Sequence, residues 1–159
     1  MAPASSSASP SPVINNMSGI ETIHASTVAI DGRGIMLMGP SGVGKSDLAL
    51  RLIDRGALLV SDDYTRLTPT PSALLASAPM TIGGRLEIRG LGIVPVPHVD
   101  DVPVVLAVRL LQDNMPAPDR MPERLFETFA GIAVRVVNLD PRPASAPLVI
   151  EYALRHDVP

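Results

Sequence analysis

The sequence predicts an α/β fold, a mixed and β-rich sheet with flanking helices, and three observations carry that prediction. A short apolar run, Gly34 to Met38, enters a glycine-rich loop, then an amphipathic stretch from Lys45 to Arg55, then a second apolar run from Ala57 to Ser61. Strand, helix, strand in that order reads as a right-handed crossover joining a parallel pair. Pro and Gly cut the second half into short β-prone runs, the pattern of strands between turns. A length of 159 residues with 46% hydrophobic content suits one compact domain.

Residues 1–17 are rich in Ala, Ser and Pro, with too little apolar content to bury; they read as a disordered tail preceding a domain over 18–159. His24 to Ile30 and Gly34 to Met38 are β-prone runs separated by Asp31-Gly32, a strong turn dipeptide, and predict a hairpin. In the helix from Lys45 to Arg55, Leu48, Ala49, Leu52 and Ile53 share a face, and Gly56 stops it. Ala57 to Ser61 has the length of a buried strand and ends on Asp62 and Asp63. Further strands are predicted at Arg66 to Thr68, Leu74 to Ala76, Arg85 to Arg89, Val104 to Leu110 and Ile132 to Val137, with Gly83-Gly84 as a hairpin turn. Met121 to Phe129 predicts a short helix and Pro147 to Arg155 a closing one, with Pro147 tolerated in the first turn.

Charge and composition remove several function classes. Thirteen basic residues against sixteen acidic ones give a net charge of −3, so no large positive field exists to hold nucleic acid. The absence of Cys excludes a disulfide framework and a thiolate nucleophile. The most apolar run, Val102 to Leu111, is too short to span a bilayer and contains Pro103 and Arg109, so no membrane role is expected. Twelve of the thirteen basic residues are Arg; the single lysine is Lys45.

That lysine lies in Gly39-Pro40-Ser41-Gly42-Val43-Gly44-Lys45-Ser46, which fits the phosphate-loop pattern GxxxxGK[ST] at every position. Glycines allow backbone N–H groups to turn inward around an anion, and the helix N-terminus adds its positive end. Lys45 then reaches the β- and γ-phosphates and Ser46 offers an oxygen to Mg²⁺. Asp62 and Asp63 end the strand after the helix, where carboxylates face a bound nucleotide and either hold Mg²⁺ or accept a proton from an attacking hydroxyl. Adjacent acids on an extended chain point to opposite sides, so one suits the metal and the other the acceptor.

The run Gly34 to Asp63, GIMLMGPSGVGKSDLALRLIDRGALLVSDD, together with Leu86 to Val94, LEIRGLGIV, resembles the HPr kinase/phosphorylases. The second segment is the more specific, because many nucleotide kinases share a phosphate loop. The resemblance implies a P-loop kinase core that uses ATP and Mg²⁺ to phosphorylate a serine of the phosphocarrier HPr. It also implies the reverse phosphorolysis, which yields pyrophosphate. By position it makes His24 the family's histidine upstream of the loop, Asp63 the proton acceptor with Asp62 beside it, and Glu87 the second Mg²⁺ ligand with Ser46. It further implies a cytoplasmic homo-oligomer, hexameric in the family.

Typical members are about twice as long, with a separate N-terminal domain, so the expectation is the short, single-domain form. Their later Pro-Gly-Arg segment, tied to phosphorolysis, has its nearest counterpart at Ala133 to Asn138, which keeps only Arg135. Arg89 shares a strand face with Glu87 and is a further candidate. His98 with Asp100 and Asp101 reads as a solvated loop among prolines, and Asp119, Arg120, Glu123 and Arg124 read as an exposed helix start. Two other functions remain open: a small-molecule P-loop kinase, against which the scattered arginines count, and a nucleotide-binding regulatory module with little turnover.

Overall fold

A computed structural model describes residues 19–80 and 83–156; the stretch read as a tail, 1–17, lies outside them. Eleven strands and two helices are described: β1 (Glu21–Ile23), β2 (Ala25–Ile30), β3 (Arg33–Met38), α1 (Lys45–Asp54), β4 (Leu58–Ser61), β5 (Thr65–Pro69), β6 (Leu74–Ser77), β7 (Arg85–Ile88), β8 (Gly92–Pro95), β9 (Val102–Leu110), β10 (Leu125–Phe129), β11 (Ile132–Leu139) and α2 (Ala146–Arg155).

The long strand β9 is the hub. It pairs in parallel with β3 (Met38 opposite Arg109) and with β11 (Leu139 opposite Leu110), while its first residues pair antiparallel with β6. β6 continues through β5 to β1, and β3 continues through β2 to β4. Three parallel strands, β3, β9 and β11, therefore end on one edge of the sheet, the edge where ligands of open α/β sheets bind.

Both faces of the central strands are covered, which is why they read as continuous apolar runs rather than alternating ones. Ile35 and Leu37 of β3, with Leu106, Val108 and Leu110 of β9, pack against Leu48 and Leu52 of α1 and Ile150 of α2. Met36 and Ala107, of opposite parity, pack on the other face with Leu67, Leu74, Val134 and Val136. α1 ends as its sequence predicts: Gly56 is left-handed (φ 108°), its N–H donates to Ile53 O and Ala57 N–H donates to Leu52 O, both at 3.0 Å.

Three expectations are corrected. β4 is not the hydrogen-bonded partner of β3; β2 lies between them, antiparallel to both, so β3 and β4 are parallel in direction only. The crossover skips one strand because the Asp31-Gly32 hairpin has already filled that edge of β3. Met121 to Phe129 is not a helix: residues 121–124 are irregular and Leu125–Phe129 is β10, paired along its length with β11. Pro122 lacks the N–H that a helix interior needs, and alternation from exposed Phe126 to buried Phe129 fits a half-covered strand. Gly83-Gly84 does not turn a hairpin, because among the described residues β6 pairs with β5 and β9 whereas β7 pairs only with β8.

Arg55, just past α1, forms two hydrogen bonds with Glu151 of α2, at 2.9 and 2.8 Å, and holds the Glu151 carboxyl below its ordinary value. A lowered carboxyl pKa contributes stability that is present above the ordinary glutamate range and is lost as pH falls through the lowered value. Glu151→Gln should therefore melt below the parent at neutral pH, and thermal scans at decreasing pH should show that gap closing. No helix among the described residues is long and apolar enough to cross a membrane.

Candidate active site

The loop from Gly39 to Gly44 leaves β3 and turns directly into α1. Gly44 caps the helix in a left-handed conformation (φ 111°) and makes no side-chain cap hydrogen bond; the first N–H groups of a helix have no partner within it. Gly39 is required by space: a Cβ there would lie 2.8 Å from Val43 Cγ1. Lys45 is 6% exposed and its ammonium donates to the carbonyls of Gly39 (2.7 Å) and Pro40 (3.1 Å), bracing the loop from within. Burial pulls the Lys45 pKa below its ordinary value, and the charges of Asp63 and Asp62 pull it partly back.

The two acids divide as adjacent carboxylates should, although not on a strand. β4 ends at Ser61, and Asp63 takes a left-handed turn (φ 68°), a conformation that Asp tolerates better than most residues. Asp62 points inward and is 9% exposed. Its Oδ1 accepts from Ser46 Oγ at 2.7 Å and from Ser26 Oγ at 2.9 Å, and its Oδ2 accepts from the Glu87 N–H at 3.1 Å. Asp63 points outward, with its Oδ1 2.8 Å from His24 Nε2. The His24 ring stacks on Tyr64, centroids 5.2 Å apart and 28° between planes.

Ser26 ties the acids together: while donating to Asp62 it accepts the Asp63 N–H at 3.0 Å. Sequence reasoning missed it, and missed Tyr64. A faint signal existed, since Ser26 stands two residues from His24 in the run read as one strand, where alternation would set both on one face; in the structure His24 is the bend just before β2. Ser26→Ala leaves a buried carboxylate oxygen short of one donor and an N–H without its acceptor. The expected cost is about 1–3 kcal/mol, read by urea unfolding.

The residues proposed from sequence are thus largely gathered. Gly39, Pro40, Ser41, Gly42, Val43, Gly44, Lys45 and Ser46 form the loop, and Asp62, Asp63 and His24 stand beside it. Glu87 approaches through its backbone while its side chain is exposed. Arg89 is exposed beyond β7, at the turn into β8.

Arg135 is not brought to this group, a correction to its sequence-based placement. It pairs with Leu106, which pairs with Ile35, four residues before Gly39, or about 13 Å along the strand at the usual rise. Its guanidinium donates to Ala153 O of α2 at 3.1 Å. Charge spacing in sequence could not show that β11 carries Arg135 mid-strand rather than at its carboxyl end. His98 instead packs its ring over Gly84 and lies bridged to Leu59 of β4, consistent with a structural loop residue.

On the other side of the loop, Leu111 to Asn114, beyond β9, and Pro141 and Arg142, beyond β11, enclose with Ser41, Gly42 and Val43 a cleft of about 370 Å³.

Comparison with known proteins places this arrangement. Residues 15–146 match the family described as HPr Serine kinase C-terminal domain. The HPr kinase/phosphorylase of Clostridium tetani is 40% identical over 89 residues, covering 56% of this chain and 29% of that protein. That of Treponema pallidum is 33% identical over 147 residues, covering 85% of this chain and 46% of that protein. The chain thus spans less than half the length of these curated relatives. The solved structure of the Hpr(Ser) kinase/phosphatase from Coxiella burnetii superposes with a TM-score of 0.75 at 34% identity, covering 85% of this chain and 88% of that one. With a family match across most of its length and the same fold at that identity, the chain belongs to the HPr serine kinase C-terminal domain family.

Proposed function

We propose that the chain transfers the γ-phosphoryl group of ATP to a serine hydroxyl of an HPr phosphocarrier protein, with Mg²⁺ at the nucleotide. The observation that carries this reading is the split of the acidic pair, Asp62 turned inward to Ser46 and Asp63 turned outward to His24. A module that only binds nucleotide has no use for a second, solvent-facing acid in the turn beyond β4, beside the acid that meets Ser46.

In the proposed reaction the seryl oxygen bonds to the γ-phosphorus as the bond from that phosphorus to the β–γ bridging oxygen breaks. ADP leaves, and the seryl proton passes to the Asp63 carboxylate. His24, hydrogen-bonded to Asp63 and stacked on Tyr64, fixes the carboxylate's aim. Lys45 and the N-terminal N–H groups of α1 oppose the charge of the phosphates.

The residues present fit Mg²⁺: Ser46 and Asp62 offer hydroxyl and carboxylate oxygens 2.7 Å apart, with Glu87 at the rim. Among the described residues no three acids or imidazoles converge, which suits a cation that draws its other ligands from phosphate and water. When bound, Mg²⁺ supplies charge neutralisation at the phosphates. The kinase direction is the one these residues support, since Arg135, the remnant tied to phosphorolysis, is held at α2. The reading carries with it a homo-oligomer in the cytoplasm.

A coupled assay of ADP release tests the reading. Turnover should rise on adding HPr and stay at baseline with HPr whose acceptor serine is replaced by Ala. Equal turnover with both proteins, or with small hydroxyl compounds alone, would overturn it.

A further inference from the structure

We infer that Ser26 is a positioning residue for phosphoryl transfer, its hydroxyl setting the aim of the Asp63 carboxylate, a role that rests on the transfer reading above. The pairing of β2 with β4 puts it there. Val28 opposes Leu59 whereas Thr27 opposes Ser61, so Val60 is an extra residue in β4 and the register shifts at that point. A bulge of this kind bends its strand and re-aims the side chains that follow. Carried one residue further, the shifted register would set Ser26 opposite Asp62, but β4 ends at Ser61 and the backbone ladder stops. The Ser26 side chain takes over from the ladder: its Oγ accepts the Asp63 N–H at 3.0 Å.

Ser26, Thr27, Ser61 and Thr65 are all 0% exposed, so their hydroxyls must find partners within the protein. Ser61 Oγ donates to Tyr64 O, and Thr65 Oγ1 donates to Ala25 O at 2.8 Å and lies 2.8 Å from Thr27 Oγ1. Both ends of the turn from Ser61 to Thr65 are thereby pinned. Asp63 lies between them in a left-handed conformation (φ 68°), which an aspartate tolerates but does not impose. Ser26 supplies the constraint. Its proton is committed to Asp62 Oδ1 at 2.9 Å, which leaves an Oγ lone pair for the Asp63 N–H.

One buried hydroxyl thus fixes the two acids relative to each other. Asp62 has a second hydroxyl on the same oxygen, Ser46 Oγ at 2.7 Å, and the Glu87 N–H on the other. Loss of the Ser26 hydroxyl therefore leaves the acid beside the phosphate loop braced and releases the turn that aims Asp63. A misplacement of about 1 Å in a reacting group costs about 10²-fold in rate.

Single-turnover transfer from γ-labelled ATP to HPr tests the role on the full chain. Ser26→Ala should slow transfer at least tenfold, in the range of about 10–100-fold, while Mg²⁺-ATP affinity by titration calorimetry stays within threefold. A double-mutant cycle separates aim from general loosening. In the Asp63→Asn background, Ser26→Ala should slow transfer less than threefold further, because the carboxylate it aims is already gone. Ser26→Cys, of similar shape but weak as both donor and acceptor, repeats each measurement and decides the matter if the alanine variant does not fold. A loss of less than tenfold in the deciding variant, an ATP affinity that falls beyond threefold, or a further loss of threefold or more in the Asp63→Asn background would overturn the role of Ser26 and leave the transfer reading standing. No transfer to HPr by the parent chain would overturn that reading and the role of Ser26 with it.

Discussion

Asp63→Asn is expected to slow phosphoryl transfer about 10²–10⁴-fold, the range for removing a positioned proton acceptor, with ATP affinity nearly unchanged. Asn is the informative replacement because it keeps the size of the side chain and tolerates the left-handed backbone found at this position (φ 68°). It also keeps an oxygen for the His24 ring. What it removes is the basic carboxylate. Single-turnover transfer with saturating ATP separates the two effects: a rate within tenfold of the parent would show that Asp63 is not the proton acceptor.

Lys45→Met should lower transfer about 10²–10³-fold, as expected for deleting one preorganised group that opposes developing charge, and Lys45→Arg should rescue little of it. The ammonium stands 6% exposed between two loop carbonyls, and a planar guanidinium is too broad to repeat that geometry. Unlike Asp63→Asn, both variants should also weaken nucleotide binding. Tight ATP binding by Lys45→Met would contradict the role given to this lysine. The bias of the chain toward Arg makes the position informative, since the one basic residue kept as Lys lies where a compact charge fits between two loop carbonyls.

Elements built from neighbouring residues were readable in the sequence. The Asp31-Gly32 hairpin, the helix from Lys45 to the Gly56 stop and the apolar cores of β9 and β11 carry their signals locally, in turn chemistry and periodicity. What depended on distant pairing was not readable. The order of Gly34 to Ser61 shows a crossover but not that β2 occupies the place between its strands. β10 carries Glu123, Arg124 and Glu127 in or near it and resembles an exposed helix until β11 pairs with it.

The site shows the same division. The loop and the acidic pair announce themselves by spacing, and His24 and Glu87 entered only through a family resemblance. Ser26, which bridges both acids, is chemically ordinary until folding sets β2 beside the end of β4. Arg135 went astray for the reciprocal reason: its residue type suited a phosphate site, and only the register of β11 on β9 shows that it stands several residues short of the strand's end.

The central claim is that this chain, which spans less than half of its curated relatives, moves a phosphoryl group from ATP to a protein serine. The most direct test is to incubate the purified chain with γ-labelled ATP, Mg²⁺ and a cognate HPr, and to identify the labelled residue. Label on one serine of HPr, rising with time and nearly absent with Asp63→Asn, is the predicted result; unlabelled HPr after prolonged incubation with the parent chain would contradict the claim.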